Sequence, residues 1–209
     1  MRNLDHDRKM SLYGQWFRDY KPWGEKALSV VRLDTPSPAN YVELENVNRR
    51  VQGILDRFTV QEYIQAKGGL YEAAESIRTL LLKCGVEVKG RVLEVGAGIA
   101  KTSAIVSQVF DVDEIHCLDF SEILLTQIAP RVIHLLGGSL DKFTFLVGDM
   151  LAVDKLQDTY NTVILHKAVH HLFLPDLFFH RLYEKLTPDG KIICLQEPAL
   201  PAIIPTDGY

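Results

Sequence analysis

Three acids, Glu94, Asp119 and Asp149, each close a short apolar run, and that recurrence is the strongest chemical signal in the chain. The first run, Val92-Leu93-Glu94-Val95, leads directly into Gly96-Ala97-Gly98-Ile99-Ala100. Strand, tight turn and helix start in that order are the layout of a nucleotide-type cofactor site at the carboxyl end of a parallel strand. Glycines at 96 and 98 allow a sharp turn and a close approach to a ligand. A dinucleotide loop of the form G-x-G-x-x-G needs its third glycine where Lys101 stands. Here an acid precedes the glycine pair instead. It repels a pyrophosphate and suits a ligand with a cationic amino group. Asp119 lies 25 residues after Glu94, at the end of Glu114–Leu118. An acid so placed accepts hydrogen bonds from ribose hydroxyls. A third run, Phe143–Val147, ends in Gly148-Asp149-Met150. A fourth, Tyr160–Leu165, ends in His166, with His170 and His171 just beyond it. Histidine is the side chain whose ordinary pKa lies nearest neutrality, so these three are candidates for moving a proton.

The loop Glu94-Val95-Gly96-Ala97-Gly98 resembles motif I (E/D-x-G-x-G) of the class I S-adenosylmethionine-dependent methyltransferases. The later runs follow that family's order, and Leu186-Thr187-Pro188-Asp189-Gly190 is similar to its L-x-P-G-G turn, with Asp189 in place of the first glycine. The likeness covers about residues 70–198. It implies S-adenosylmethionine as cofactor, with Glu94, Gly96, Ala97 and Gly98 at its methionine end. Asp119 and Phe120 then lie at the ribose, Gly148, Asp149 and Met150 at the adenine, and His166 beside the reactive end. The same resemblance makes His170 or His171 the candidate general base, with Glu197 a weaker candidate. The loop after the fourth run is not N/D-P-P-Y, and no Pro-Cys pair offers a nucleophilic thiolate. The implied activity is therefore O-, N- or C-methylation of a small molecule. Two other readings stand beside it: a non-catalytic methyltransferase-like subunit or truncated piece that binds cofactor or a partner, and a nicotinamide-dependent dehydrogenase.

The elements that must position these residues alternate. Strands are expected near 91–95, 114–118, 143–147, 161–166 and 191–196. Helices are expected at 70–84, about 100–109, 122–136 with Ser121 as N-cap, and 175–186. Alternation of this kind predicts an α/β fold, a doubly wound, mainly parallel Rossmann-like sheet with right-handed crossovers. Residues 70–209 form this core, and residues 1–69 are expected to form an N-terminal helical cap. Helices are predicted there at 11–20, 42–58 and 59–66, the second carrying Val51, Ile54, Leu55 and Phe58 on one face. Aromatic residues are dense in this cap, from Tyr13 to Tyr63, as core or as pocket lining. The family's core ends in an antiparallel β-hairpin. The eleven residues after Pro198 hold two prolines and are too few for it, so that hairpin is expected to be missing. The exposed edge of the fifth strand is then expected to be covered by the 199–209 tail, by the N-terminal cap, or by a homo- or hetero-oligomeric partner.

Composition sets the outer bounds. The chain has 209 residues, 47% hydrophobic and 24% charged, ordinary for one globular domain. A net charge of −4 speaks against a nucleic-acid partner. No apolar run reaches the length of a membrane span, and Met1–Asp7 does not have the makeup of a signal peptide. Cys84, Cys117 and Cys194 are odd in number and widely spaced, the last two in strands expected to be buried. They predict neither a disulfide framework nor a metal site, and a cytoplasmic setting.

Overall fold

A computed structural model describes residues 28–33, 41–57, 59, 62–64, 69–83, 85–172 and 174–197. Six parallel strands form one sheet in the order β1-β4-β3-β2-β5-β6. They are β1 (Ser29–Arg32), β2 (Gly90–Val95), β3 (Val112–Asp119), β4 (Phe143–Val147), β5 (Tyr160–His166) and β6 (Leu186–Leu195). Helices among the described residues include α1 (Tyr41–Leu55), α2 (Leu70–Lys83), α3 (Lys101–Val109), α4 (Ala129–Leu135) and α5 (Pro175–Tyr183).

The sheet is apolar on both faces because helices cover both. Side chains alternate along each strand. Val92, Ile115, Cys117, Phe145 and Ile164 pack with Ile77 and Leu81 of α2, Ile105 of α3 and Ile133 of α4. Leu93, Val95, Leu118, Val163 and Leu165 pack with Phe178 and Leu182 of α5. A third cluster joins Val51 of α1, Tyr63 and Ile64 to Ile128, Val132 and Leu135. Tyr63 is thus a core aromatic.

The strand register brings the functional ends level. Glu94 pairs with Cys117 and Ile164, Asp119 with Val147, and His166 with Leu195. All five core strands therefore finish at one edge of the sheet, where ligands bind in such folds.

Several elements differ from the sequence expectation. β1 was not foreseen: Ser29–Arg32 lies within the stretch read as a helical cap, yet pairs with β4 from Ser29↔Thr144 to Arg32↔Val147. The helix after Ser121 is not uniformly α. It opens with a π-helical segment, Leu124–Ile128, before α4. Pro130 explains the break: it lacks an N–H and cannot extend a regular i−4 ladder, so the extra residue is absorbed there. Ser121 is the N-cap as expected, its Oγ accepting the Leu124 N–H at 3.3 Å. β6 starts at Leu186, not 191, with a register shift between the partners of Tyr160 and Thr162. Cys194, expected to be buried, is exposed because β6 has no strand on its outer side among the described residues, whereas Cys117 is buried. The expected helix at 11–20, Phe58, Cys84 and the 199–209 tail lie outside the described residues. No described helix is long and apolar enough to cross a membrane.

Candidate functional site

The site is built from loops leaving β2, β3, β4, β5 and β6. At the end of β2 the Gly96 and Ala97 N–H groups both donate to the Leu118 carbonyl, at 2.9 and 3.0 Å. Gly96 has φ +72°, and a Cβ there would stand 2.9 Å from Ala168 Cβ and 3.1 Å from Met150 Cε. The loop touches its neighbours so closely at this point that only glycine fits. Gly98 differs: its φ is +53°, but a Cβ would meet nothing within 4 Å. The chain there faces open space. Ala100, with φ +54°, completes the turn and begins α3.

Glu94 lies on the α3 side of the sheet and is only 2% exposed. Its Oε2 accepts the Ser103 N–H at 2.9 Å and the Ser103 hydroxyl. Burial pushes its pKa up to about 7, against the lowering effect of hydrogen bonds from Ser103 and Thr102. The expectation that it faces a cationic amino group therefore meets a carboxylate already engaged by α3. Its evident work is to pin the glycine loop to the first turn of the helix. Ser103 also accepts from the buried Cys117 thiol at 3.4 Å.

Asp119 joins three loops. Its Oδ2 accepts the Gly98 N–H and its Oδ1 the Ser121 N–H, both at 2.8 Å. Its carbonyl accepts the Gly148 N–H at 3.0 Å. Burial raises its pKa; the N–H groups of Ser121 and Gly98, nearby His171 and the Phe120 N–H offset part of that rise. Asp149 is also buried, and its Oδ1 caps the short helical turn Met150–Lys155 by accepting the Leu151 N–H at 2.7 Å. Gly148 is covered by Leu33, whose Cβ would stand 2.9 Å from a Cβ at that position. Residues just after β1 thus border the same loops.

The three histidines have different surroundings. His166 Nδ1 lies 2.8 Å from Thr102 Oγ1 and its Nε2 3.1 Å from Gln196 Oε1. Both ring nitrogens are occupied, and burial lowers its pKa. It thus bridges Thr102 of α3 and Gln196 just after β6. His170 and His171 stack obliquely on the next turn, ring centroids 4.0 Å apart, and both are exposed. His170 Nδ1 lies 2.9 Å from Glu197 Oε2.

The sequence reading missed Thr102 and Ser103, which stand out only as adjacent hydroxyls in the apolar α3 segment Lys101–Val109. It also missed Asn48 of α1, whose Oδ1 accepts the Ser121 hydroxyl at 2.7 Å and ties the N-terminal segment to this rim.

Residues 93–192 match the family described as a methyltransferase domain. Phosphoethanolamine N-methyltransferase 3 of Arabidopsis thaliana is 28% identical over 152 residues, 72% of this chain and 29% of that protein. The chain thus spans less than a third of the length of that relative. Among solved structures, a SAM-dependent methyltransferase of Geobacter sulfurreducens in complex with S-adenosyl-L-homocysteine aligns with a TM-score of 0.48 at 23% identity, covering 57% of this chain and 47% of that one. The glycopeptide N-methyltransferase MtfA complexed with sinefungin aligns with a TM-score of 0.47 at 23% identity, covering 58% of this chain and 48% of that one. Residues 93–192 thus carry a methyltransferase domain, and by it the chain is similar to the class I S-adenosylmethionine-dependent methyltransferases, whose cofactor is S-adenosylmethionine.

Proposed function

We propose that this chain methylates a small-molecule acceptor, with the cofactor lying over Gly98 and Asp119. The observation that carries the proposal is the pairing of an open glycine with a buried acid. Gly98 has nothing within 4 Å of its Cβ position, and its N–H is held by Asp119. The residues fit the cofactor. A carboxylate offers about four acceptor positions. The N–H groups of Gly98, Ser121 and Phe120 leave Asp119 room to accept from a ribose hydroxyl. Bound there, S-adenosylmethionine supplies a methyl group on a sulfonium for in-line displacement, which demands chiefly alignment.

The chain's own residues then have separate tasks. Glu94 and Ser103 hold the loop in shape. Asp149 and Met150 border the adenine side, and Leu33 closes over Gly148. His170 or His171 takes the proton that the acceptor atom gives up. The segment before α2, through Asn48 and Leu33, borders the loops after β3 and β4 as a cap. The relative's name, a phosphoethanolamine N-methyltransferase, favours a small amine as the acceptor.

Calorimetry with S-adenosylhomocysteine and with NAD tests the cofactor assignment. A labelled-methyl transfer assay over small amines, including phosphoethanolamine, with small alcohols as comparison, tests the acceptor. Binding of NAD in preference to S-adenosylhomocysteine would refute the proposal.

A further inference from the structure

β5 and β6 end side by side, His166 in register with Leu195. Each leaves the sheet through a non-glycine residue in the left-handed region, Lys167 at φ +54° and Gln196 at φ +51°. Such backbone persists where its surroundings over-determine it, and it gathers at functional sites. Here the paired turns bring Glu197 onto the loop after β5. Its Oε1 accepts the Ala168 N–H at 2.6 Å and the Val169 N–H at 2.9 Å. Its Oε2 faces His170 Nδ1 at 2.9 Å, with the His170 N–H at 3.4 Å.

We propose that Glu197 is a positioning residue for the transfer: it holds His170 with Nδ1–H toward the carboxylate and leaves Nε2 as the lone-pair nitrogen. An ionised carboxylate only accepts, so the ring nitrogen facing it carries the hydrogen. In a neutral imidazole the other nitrogen is then the acceptor. Burial pushes Glu197 up, but hydrogen bonds from His170, Val169 and Ala168 outweigh it and hold this acid below its ordinary range. The carboxylate is thus charged at neutral pH. S-adenosylmethionine, when bound, would supply the methyl carbon, its C–S bond breaking with the electron pair left on sulfur as the acceptor atom bonds to that carbon; the acceptor's proton would pass to His170 Nε2, with Glu197 stabilising the imidazolium until water removes the proton. Triad acids orient and stabilise their histidines in the same way. His166 is tied at both nitrogens and has no such freedom.

This inference rests on the methyl-transfer reading above, and its test separates the two. The full chain, wild type and E197Q, is examined by ¹⁵N-detected histidine side-chain NMR under mildly alkaline conditions, with His170 assigned through H170Q. The wild-type ring is expected in the Nδ1–H form. E197Q keeps an amide oxygen for the Ala168 and Val169 N–H groups but loses the charge, so the tautomer should shift toward Nε2–H. In E197Q turnover should fall at least about tenfold, within the range of a general base's contribution. Affinity for S-adenosylhomocysteine should stay within about twofold, and E197D should restore part of the rate. A wild-type Nε2–H ring, or an unchanged tautomer in E197Q, would overturn the proposal, and the wild-type spectrum alone decides if E197Q does not fold. An Nδ1–H ring in a protein that binds no S-adenosylhomocysteine would overturn the methyl-transfer reading and leave the Glu197–His170 pairing standing.

Discussion

Gly96 and Gly98 are separated by Ala97 alone, share a left-handed backbone, and should fail for opposite reasons when changed to alanine. At Gly96 the φ of +72° makes any L residue unfavourable, at about 1–2 kcal/mol. The new Cβ also stands 2.9 Å from Ala168 Cβ and 3.1 Å from Met150 Cε. Met150 ends in a flexible thioether and can withdraw. Ala168 is 1% exposed and its Cβ moves only with the backbone. Overpacking of this kind costs about 1–3 kcal/mol. G96A should therefore lose about 3 kcal/mol of stability, which for a chain of this size lowers Tm by about 6–12 °C. G98A meets no neighbour, so its loss should be the backbone cost alone, about 1–2 kcal/mol. Its affinity for S-adenosylhomocysteine should nonetheless fall more than that of G96A, because the open face is where the proposed function puts the ligand. Urea unfolding and calorimetry on both variants read the two effects separately. In the G96A background, A168G should recover about 1 kcal/mol, since the two positions touch. Equal stabilities for G96A and G98A, or no recovery from A168G, would refute the reasoning.

Removing the ribose-side acid, D119A, should weaken S-adenosylhomocysteine by about 1–3 kcal/mol through lost charge-assisted hydrogen bonds, read by calorimetry; unchanged affinity would remove Asp119 from the site. Whichever of His170 and His171 is the base should lose about 10²–10⁴-fold in turnover as its alanine variant, with cofactor affinity retained, and two near-normal single variants would leave the chemistry to alignment alone. Glu94 gives a pH signature: its folded pKa of about 7 lies above the ordinary 4.5, so the folded state binds the extra proton between those values. Stability should therefore fall by about 3 kcal/mol as pH rises from 4.5 to 7, relative to E94Q, whose amide oxygen still accepts from Ser103; parallel stability–pH curves for the two proteins would contradict this. The outer edge of β6, which carries no strand among the described residues, should be covered by another part of the chain or by a second chain, and light scattering with amide exchange on β6 should find protection; a monomer with fast exchange along that strand would count against it.

The strand-end acids were legible because each closes an apolar run, and an apolar run ending in an acid has few readings in a parallel sheet. Ser121 carried its role in sequence, a helix cap directly after the strand-end acid Asp119. What Glu94 does was not legible, since its engagement by Ser103 depends on α3 folding back over β2. Glu197 was visible as an acid after β6, but its grip on the loop after β5 needs the left-handed Gln196, which nothing in residue type signals. β1 escaped notice because Ser29-Val30-Val31-Arg32 is four residues long and only two of them are apolar. Such a run is too short to show a period, and its place was decided by pairing with β4, far along the chain. Cys194 was misjudged because the apolar run Ile192–Leu195 reads as buried, while β6 has no strand on its outer side among the described residues.

The pairing of β1 with β4 also has a kinetic side. The Ser29 and Thr144 hydroxyls meet across 115 residues, whereas Arg91 and Glu114 of β2 and β3 are 23 apart. Closing the longer loop costs more chain entropy, and a four-residue strand returns little burial for it. β1 should therefore dock last during folding and detach first from the native state, without unfolding the remaining sheet. Each detachment would lift Leu33 off Gly148 and bare the rim beside Asp149. The cofactor's doorway would then open at the frequency with which this short strand lets go, and amide exchange along Phe143–Val147 would time it.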